Sequence, residues 1–281
     1  TAIQIAMKFN MPNSVIGAVF IGFGTSAPEL FASSGAALNG NLSLGIGNII
    51  GSNIANSLVA ISVLYFALNK DFNKKLKLNN TSSIWMVVVT ILFVSVYLSL
   101  KEFPLFLGVG LLGLVVFVIY KLVTEEAVDQ EDFLIEKKDY VWLRAIASLT
   151  ATIFGSTLVV NNAITLAEYF NISSIIIGVT VVALGTSLPE IAGTIAAAKM
   201  KNPDIVFGNI FGSNLFNIAL VGGVSVSIAP GIIETDVTNE MTIMFLVSLL
   251  VVFLSRAVVK KSYLIGAITL ISYSVFIYTL F

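Results

Sequence analysis

Nine stretches of this chain are longer and more uniformly apolar than the core of a water-soluble domain requires. They fall at about residues 13–38, 42–68, 82–100, 104–124, 141–169, 173–199, 203–229, 239–257 and 262–281. A helix needs about 20 mainly apolar residues to cross a bilayer, whereas a membrane β-strand needs only about ten with strict alternation. These stretches therefore read as nine membrane-spanning helices. Only 11% of the chain is charged and 57% is hydrophobic, against about 25% charged in a soluble domain. Such a chain cannot clothe a water-exposed surface, which excludes a soluble enzyme or a nucleic-acid binder. It contains neither cysteine nor histidine. Disulfides, thiolate nucleophiles, the usual haem and zinc sites and Ser-His-Asp chemistry are thereby excluded. Any metal it handles is held by oxygen, which favours hard cations.

The basic residues give the spans an orientation. Lys8, the group Lys70, Lys74, Lys75 and Lys77, the group Lys121, Lys137, Lys138 and Arg144, the pair Lys199 and Lys201, and Arg256, Lys260 and Lys261 all fall on one side of the membrane. Lys101 alone falls on the other, so fourteen of the fifteen Lys and Arg share a face. Cytoplasmic connections carry the excess of Lys and Arg, so the crowded side is expected to be cytoplasmic. The acidic segment 125–140 then lies in the cytoplasm. Its spacing lacks the EF-hand pattern, so it reads as a solvated linker rather than a Ca²⁺ sensor.

The chain also repeats itself. With an offset of 161 residues, Gly22–Glu29 (GFGTSAPE) falls on Ala183–Glu190 (ALGTSLPE), and Gly45–Ser57 falls on Val206–Ile218. Twelve of these twenty-one positions are identical without a gap. The two copies begin five spans apart, and an odd separation reverses direction across the membrane. The expected architecture is an all-α polytopic membrane protein with an inverted five-plus-five repeat. Residues 1–124 form the first repeat, 125–140 the linker and 141–281 the second repeat. Thr1–Asn10 aligns with the end of span 141–169, so most of the first helix of the first repeat is expected to be missing from this chain.

Glu29 and Glu190 are the acidic residues set well inside apolar spans. A charge at the bilayer centre costs at least about 2.5–3.5 kcal/mol, and such residues usually serve an ion or substrate path. No Lys or Arg shares their spans, so a cation from solution is the natural partner. Each glutamate follows Gly-Thr-Ser-x-Pro. Proline removes a backbone donor and clashes with the preceding turn, and glycine loosens the same place. Breaks are expected at Gly24–Pro28 and Gly185–Pro189, with freed carbonyls such as those of Thr25 and Thr186 turned to a cavity. In the second block Ser52 and Asn56 share a helix face, as do Ser213 and Asn217. Asn48, Asn53, Asn209 and Asn214 extend the polar stripe, as ligands or as interhelical hydrogen-bonding groups. Gly47 with Gly51, and Gly208 with Gly212, form GxxxG patterns that permit close helix approach.

The paired GTSAPE and GTSLPE motifs, each followed by GNxxGSNxxN, resemble the α-repeats of the cation/calcium exchanger superfamily, and the sodium/calcium exchanger branch most closely. The resemblance covers nearly the whole chain. It implies a secondary antiporter that exchanges Na⁺ for Ca²⁺ by alternating access, with no catalytic residue and no cofactor. It implies that Glu29 and Glu190 bridge the central ion and that the Thr25 and Thr186 carbonyls also ligate Ca²⁺. Gly22 and Ala183 would lend carbonyls, and Ser52 and Ser213 hydroxyls, to flanking Na⁺ sites. Asn56 and Asn217 would face the middle, and Ser26 and Ser187 complete the expected ion-binding set. Potassium-dependent relatives carry Asp where Asn217 stands, which makes K⁺ co-transport a poorer fit. The proton/calcium branch typically has an Asn-containing motif in place of Thr25-Ser26 and Thr186-Ser187, and a proton-coupled Ca²⁺ antiporter of the same fold is the alternative. The partners expected are Ca²⁺, Na⁺ and the lipid bilayer of the cell (inner) membrane, around a monomer.

Overall fold

The structure is a computed structural model. It describes residues 22–68, 73–75, 80–125, 171–199, 203–233, 235–260 and 262–281, with isolated helical positions between 143 and 170. In chain order the first helices are α1 (Gly22–Thr25), α2 (Ala27–Leu38) and α3 (Leu42–Ala67). A short strand β1 (Asn73–Lys75) precedes α4 (Asn80–Leu100) and α5 (Leu105–Glu125). The second half has α6 (Ser174–Ile177), a π-helical turn at Gly178–Val182, α7 (Ala183–Thr186) and α8 (Leu188–Lys199). Then come α9 (Pro203–Phe216), a second π turn at Asn217–Gly222, α10 (Gly223–Ile228), α11 (Thr238–Arg256), strand β2 (Val258–Lys260) and α12 (Tyr263–Tyr278).

These elements reproduce the expected spans where the residues are described. The start of span 13–38, most of span 141–169 and most of the acidic linker lie outside the described residues, as does Lys8. Capping explains several boundaries. Asn41 accepts a hydrogen bond from the Leu44 amide at 3.0 Å and opens α3, and Ser262 accepts from the Ile265 amide at 3.3 Å and opens α12. The turn between α2 and α3 uses Gly40 at φ 76°, where a side chain would be strained.

The two motif-bearing spans form the centre. In their most apolar stretches α3 is 83% buried and the α9–α10 span 94%, against 39% for α4, 33% for α5 and 39% for α11. The outer helices turn Phe106, Val116, Phe253 and Ile271 outward, a surface that suits lipid chains and not water.

The connections show the inversion. Strands β1 and β2 pair antiparallel, with Asn73 opposite Lys260 and Lys75 opposite Val258, so the ends of α3 and α11 meet on one side. The connections after α4 and after α10 meet on the other side, where Phe103 and Gly231 exchange backbone hydrogen bonds of 2.9 and 3.0 Å. Helix α3 thus ends at the ribbon and the α9–α10 span ends at the opposite face, so these repeat mates run in opposite directions. The ribbon is an addition to the all-α expectation: two connections held side by side pair the backbone groups that no helix satisfies.

Lys101, the one basic residue expected on its side, reaches Asp236 at 3.2 Å, and the Tyr97 hydroxyl donates to the same carboxylate at 2.9 Å. The Val237 amide donates in turn to the Tyr97 oxygen at 3.0 Å. Phe103 is fully buried and stacks on Tyr97 with ring centroids 5.2 Å apart. This cluster fastens the α4–α5 connection of the first repeat to the α10–α11 connection of the second.

Close approach of the central helices depends on glycine. A Cβ on Gly47 would stand 2.5 Å from the Ile175 carbonyl oxygen and 3.1 Å from the Gly178 Cα. Gly47→Ala is expected to cost about 1–3 kcal/mol through forced separation. Gly35 has open space around its missing Cβ, so Gly35→Ala, which improves helix propensity, should melt at or above wild type. Thermal unfolding in detergent measures both. A second expectation concerns Asp236. Hydrogen bonds from Thr238, then Tyr97 and Lys101, push its carboxyl down to about 2. A depressed folded value stabilises above the ordinary carboxylate range and is lost as pH falls toward that lower value. Asp236→Asn should therefore melt slightly below wild type at pH 7, with the gap closing between about pH 4 and 2. The effect is small because the carboxylate is largely exposed.

Candidate functional site

Both GTSxPE segments break where the prolines require it. The first span is interrupted at Ser26, between α1 and α2, and the sixth at Ser187, between α7 and α8, where the axis bends by 40°. Pro28 and Pro189 have no N–H to offer, so the carbonyls one turn earlier, those of Gly24 and Gly185, lose their helical donor. The ladder survives on either side. The Ser26 amide reaches the Gly22 carbonyl at 3.0 Å and the Ser187 amide reaches that of Ala183 at 3.0 Å. Each glutamate then sits in the first turn of the helix that follows its break, at the end where the dipole favours an anion.

The two breaks face each other across the central helices. Glu29 and Glu190 are 0% and 1% exposed. Ser187 of the second motif donates to Glu29 Oε1 at 3.2 Å. Ser52 and Thr186 also face Glu29, and Thr25 and Ser26 face Glu190. Each carboxylate lies in the electrostatic field of the other. The hydroxyls of Thr25 and Ser213 stand 3.3 Å apart, and those of Thr186 and Ser52 stand 3.4 Å apart. These two pairs map onto each other at the 161-residue offset, so the site straddles the repeat axis. The Ala183 carbonyl accepts from Ser52 at 3.4 Å, and the Gly22 carbonyl from Thr25 at 3.4 Å. Asn56 and Asn217 are buried with no partner at either side-chain polar atom among the described residues.

The structure thus brings together Glu29, Glu190, Thr25, Thr186, Ser26, Ser187, Ser52, Ser213, Gly22 and Ala183. It places Asn56 and Asn217 one turn further along the same helices. Among the described residues neither glutamate has a Lys or Arg at ion-pairing distance, and no third acidic residue joins the pair. Among the described residues, Glu29 Oε2 and both Glu190 carboxylate oxygens are buried without a protein donor in hydrogen-bonding geometry. Two buried carboxyl groups surrounded by hydroxyls and carbonyls form, once ionised, a donor set for a hard cation, which accepts six to eight oxygens if it is Ca²⁺.

Two features escaped the sequence. The π turns at Gly178–Val182 and Asn217–Gly222 flank the site, and such turns gather at functional positions. Gly222-Gly223 was the available signal for the second, because paired glycines weaken the α-helical ladder. The other is a buried polar chain through Ser33, Asn48, Ser52 and Thr186. The sequence leaves Asn48 either a ligand or an interhelical hydrogen-bonding group, and Ser33 carries no signal of its own.

Known proteins resemble this chain over most of its length. Residues 1–124 and 140–281 match the sequence profile of the family described as sodium/calcium exchanger protein. CaxA of Alkalimonas amylolytica is 35% identical over 245 residues, 83% of this chain and 76% of that protein. The inner membrane protein YrbG of Escherichia coli is 33% identical over 265 residues, 88% of this chain and 79% of its own length. The sodium-calcium exchanger NCX_Mj, solved after soaking with 2.5 mM Na⁺ and 0.1 mM Ca²⁺, superposes with a TM-score of 0.73 at 27% identity, covering 100% of this chain and 91% of that one.

Proposed function

This chain belongs to the sodium/calcium exchanger protein family, and we propose that within it the chain is an antiporter that exchanges Na⁺ for Ca²⁺ by alternating access. The observation that carries the reading is the buried pair Glu29 and Glu190, each faced by hydroxyls of the opposite repeat and, among the described residues, paired with no basic side chain. Two carboxylates balance one Ca²⁺. When Na⁺ ions take the same oxygens, Ca²⁺ loses the charge that holds it, so occupancy of one cluster couples the two ions. Mg²⁺ fits less well, because it keeps its waters and demands tight octahedral geometry.

The residues divide the work by their chemistry. Glu29 and Glu190 supply the charge. The carbonyls of Thr25, Thr186, Gly22 and Ala183 and the hydroxyls of Ser52, Ser213, Ser26 and Ser187 replace water around the ions. Asn56 and Asn217 supply neutral oxygens to the middle of the site, which keeps its charge at two. The breaks put these groups on two helix pairs of opposite direction, so a movement of neighbouring spans opens the site to one face at a time. The shared side of fourteen of the fifteen Lys and Arg supports a cytoplasmic position for the β1–β2 ribbon and the acidic segment, in the cell membrane.

Glu29→Gln and Glu190→Gln test the reading. Each keeps the shape and one carbonyl oxygen and removes a charge. A structural role makes either change neutral or stabilising, because a buried charge becomes an amide. The proposed role predicts monodisperse, membrane-inserted variants that lose Na⁺-driven Ca²⁺ uptake by a factor of about 10–100 or more, the size of a charge-assisted interaction. Both positions must respond, because one ion is shared between them. Wild-type uptake by either variant at matched reconstitution contradicts the shared site.

A further inference from the structure

We infer that Asn48 is a positioning residue that sets the Na⁺ affinity of the Ser52–Thr186 side of the site by receiving the hydroxyl protons of both residues; the inference rests on the exchanger reading above. Asn48 is fully buried. Its Oδ1 lies 3.0 Å from the Thr186 oxygen and 3.3 Å from the Ser52 oxygen, and both hydroxyls can donate to it. Its Nδ2 donates to Ser33 Oγ at 2.9 Å, and Ser33 donates in turn to the Gly45 carbonyl at 3.2 Å. The amide is therefore held from behind, with its acceptor aimed at the Ser52 hydroxyl, an expected Na⁺ ligand, and at the hydroxyl of Thr186, whose carbonyl is the expected Ca²⁺ ligand.

A hydroxyl offers one proton and two lone pairs. It can ligate a cation only if the proton points elsewhere. Near an empty carboxylate site the proton of Ser52 is drawn toward Glu29. When Na⁺ arrives it has to turn away. Apart from Glu29, the acceptors within reach of Ser52 are Asn48 Oδ1 at 3.3 Å, the Ala183 carbonyl at 3.4 Å and Thr186 Oγ1 at 3.4 Å, the longer two both on the segment that carries the second motif. The Ala183 carbonyl is itself an expected Na⁺ ligand, so a proton directed there competes with the ion. Asn48 Oδ1 receives the proton without that conflict. Thr186 has a further acceptor in the Val182 carbonyl at 3.0 Å, so Ser52 depends on Asn48 the more.

Among the described residues the second repeat has no equivalent arrangement. Asn209, the mate of Asn48, donates from Nδ2 to the Glu190 carbonyl at 3.4 Å, and its Oδ1 has no partner. Thr194, the mate of Ser33, likewise has no partner at Oγ1. Proton reception is thus built on one side of the site only. Asn48 touches no expected Ca²⁺ ligand oxygen, since the group expected to serve Ca²⁺ at Thr186 is its carbonyl.

The test is Ca²⁺ uptake into proteoliposomes, with the half-saturating concentrations of Na⁺ and Ca²⁺ measured separately for wild type, Asn48→Leu, Ser33→Ala and Asn209→Leu. Asn48→Leu keeps the volume and removes the acceptor. It is expected to raise half-saturating Na⁺ about fivefold, the size of one neutral hydrogen bond, with half-saturating Ca²⁺ within twofold of wild type. Ser33→Ala frees the amide and should shift Na⁺ in the same direction by less, and it remains informative if Asn48→Leu fails to fold. Asn209→Leu should shift Na⁺ less than Asn48→Leu. A purely packing role for Asn48 would lower the maximal rate or the melting temperature and leave the Na⁺ value in place, and that result overturns the inference while the exchanger reading stands. A wild-type protein whose uptake ignores Na⁺ overturns both.

Discussion

Two carboxylates inside an apolar body, with no basic side chain to meet them among the described residues, govern the arrangement of this protein. A buried charge is tolerated only when it is paired or solvated by fixed dipoles. Here the dipoles come from the chain itself: the first turns of α2 and α8, the hydroxyls of Thr25, Ser26, Thr186 and Ser187, and the serines of the neighbouring spans. The breaks at Ser26 and Ser187 follow from this need, because an unbroken helix offers no free backbone oxygen at that depth. The glycines follow as well. Each motif helix presses against the glycine of the opposite copy, Gly22 on Gly212 and Ala183 on Gly51. A Cβ on Gly22 would stand 2.9 Å from the Gly212 carbonyl carbon, and one on Gly51 would stand 2.6 Å from the Ala183 Cβ. Bulkier residues there would pull the oxygens apart.

The symmetry of the site is therefore real in its contacts and incomplete in its details. Thr25–Ser213 and Thr186–Ser52 are exact mates, as are the two glycine contacts. Asn56 and Asn217 also correspond, yet Asn56 lies within continuous α-helix and Asn217 opens a π turn. The difference traces to Gly222-Gly223, where the first repeat has Ile61-Ser62. Gly223 also lets the end of that span approach Gly108 of α5, where a Cβ on Gly223 would meet the Gly108 carbonyl oxygen at 3.2 Å. An internal duplication accounts for the shared geometry, and the departures lie where the two copies differ in sequence.

Much of this was legible in the residues. Span positions were readable because hydrocarbon thickness imposes a length on apolar runs, and breaks because Gly and Pro act locally. The inversion followed from counting spans between two copies of one motif. The convergence of Glu29 and Glu190 followed from the cost of leaving either alone. What stayed hidden depends on geometry across helices. The β1–β2 ribbon joins connections nearly two hundred residues apart, and neither Asn73–Lys75 nor Val258–Lys260 carries enough pattern to announce a strand. The fastening of Lys101, Tyr97 and Asp236 needs two connections brought to one face. The direction of Asn48 was unreadable, because an asparagine on a polar stripe can face a ligand, a neighbouring helix or another ligand's proton. Asn209 shows that even its repeat mate chooses differently.

The central claim is that one carboxylate pair serves Na⁺ and Ca²⁺ in turn. Ca²⁺ uptake into Na⁺-loaded proteoliposomes, diluted into Na⁺-free medium at equal pH on both sides, tests it most directly. The account predicts uptake that scales with the outward Na⁺ gradient and disappears when K⁺ or choline replaces Na⁺ inside. Uptake that persists without Na⁺ and follows an imposed pH gradient would contradict it and assign the site to proton exchange.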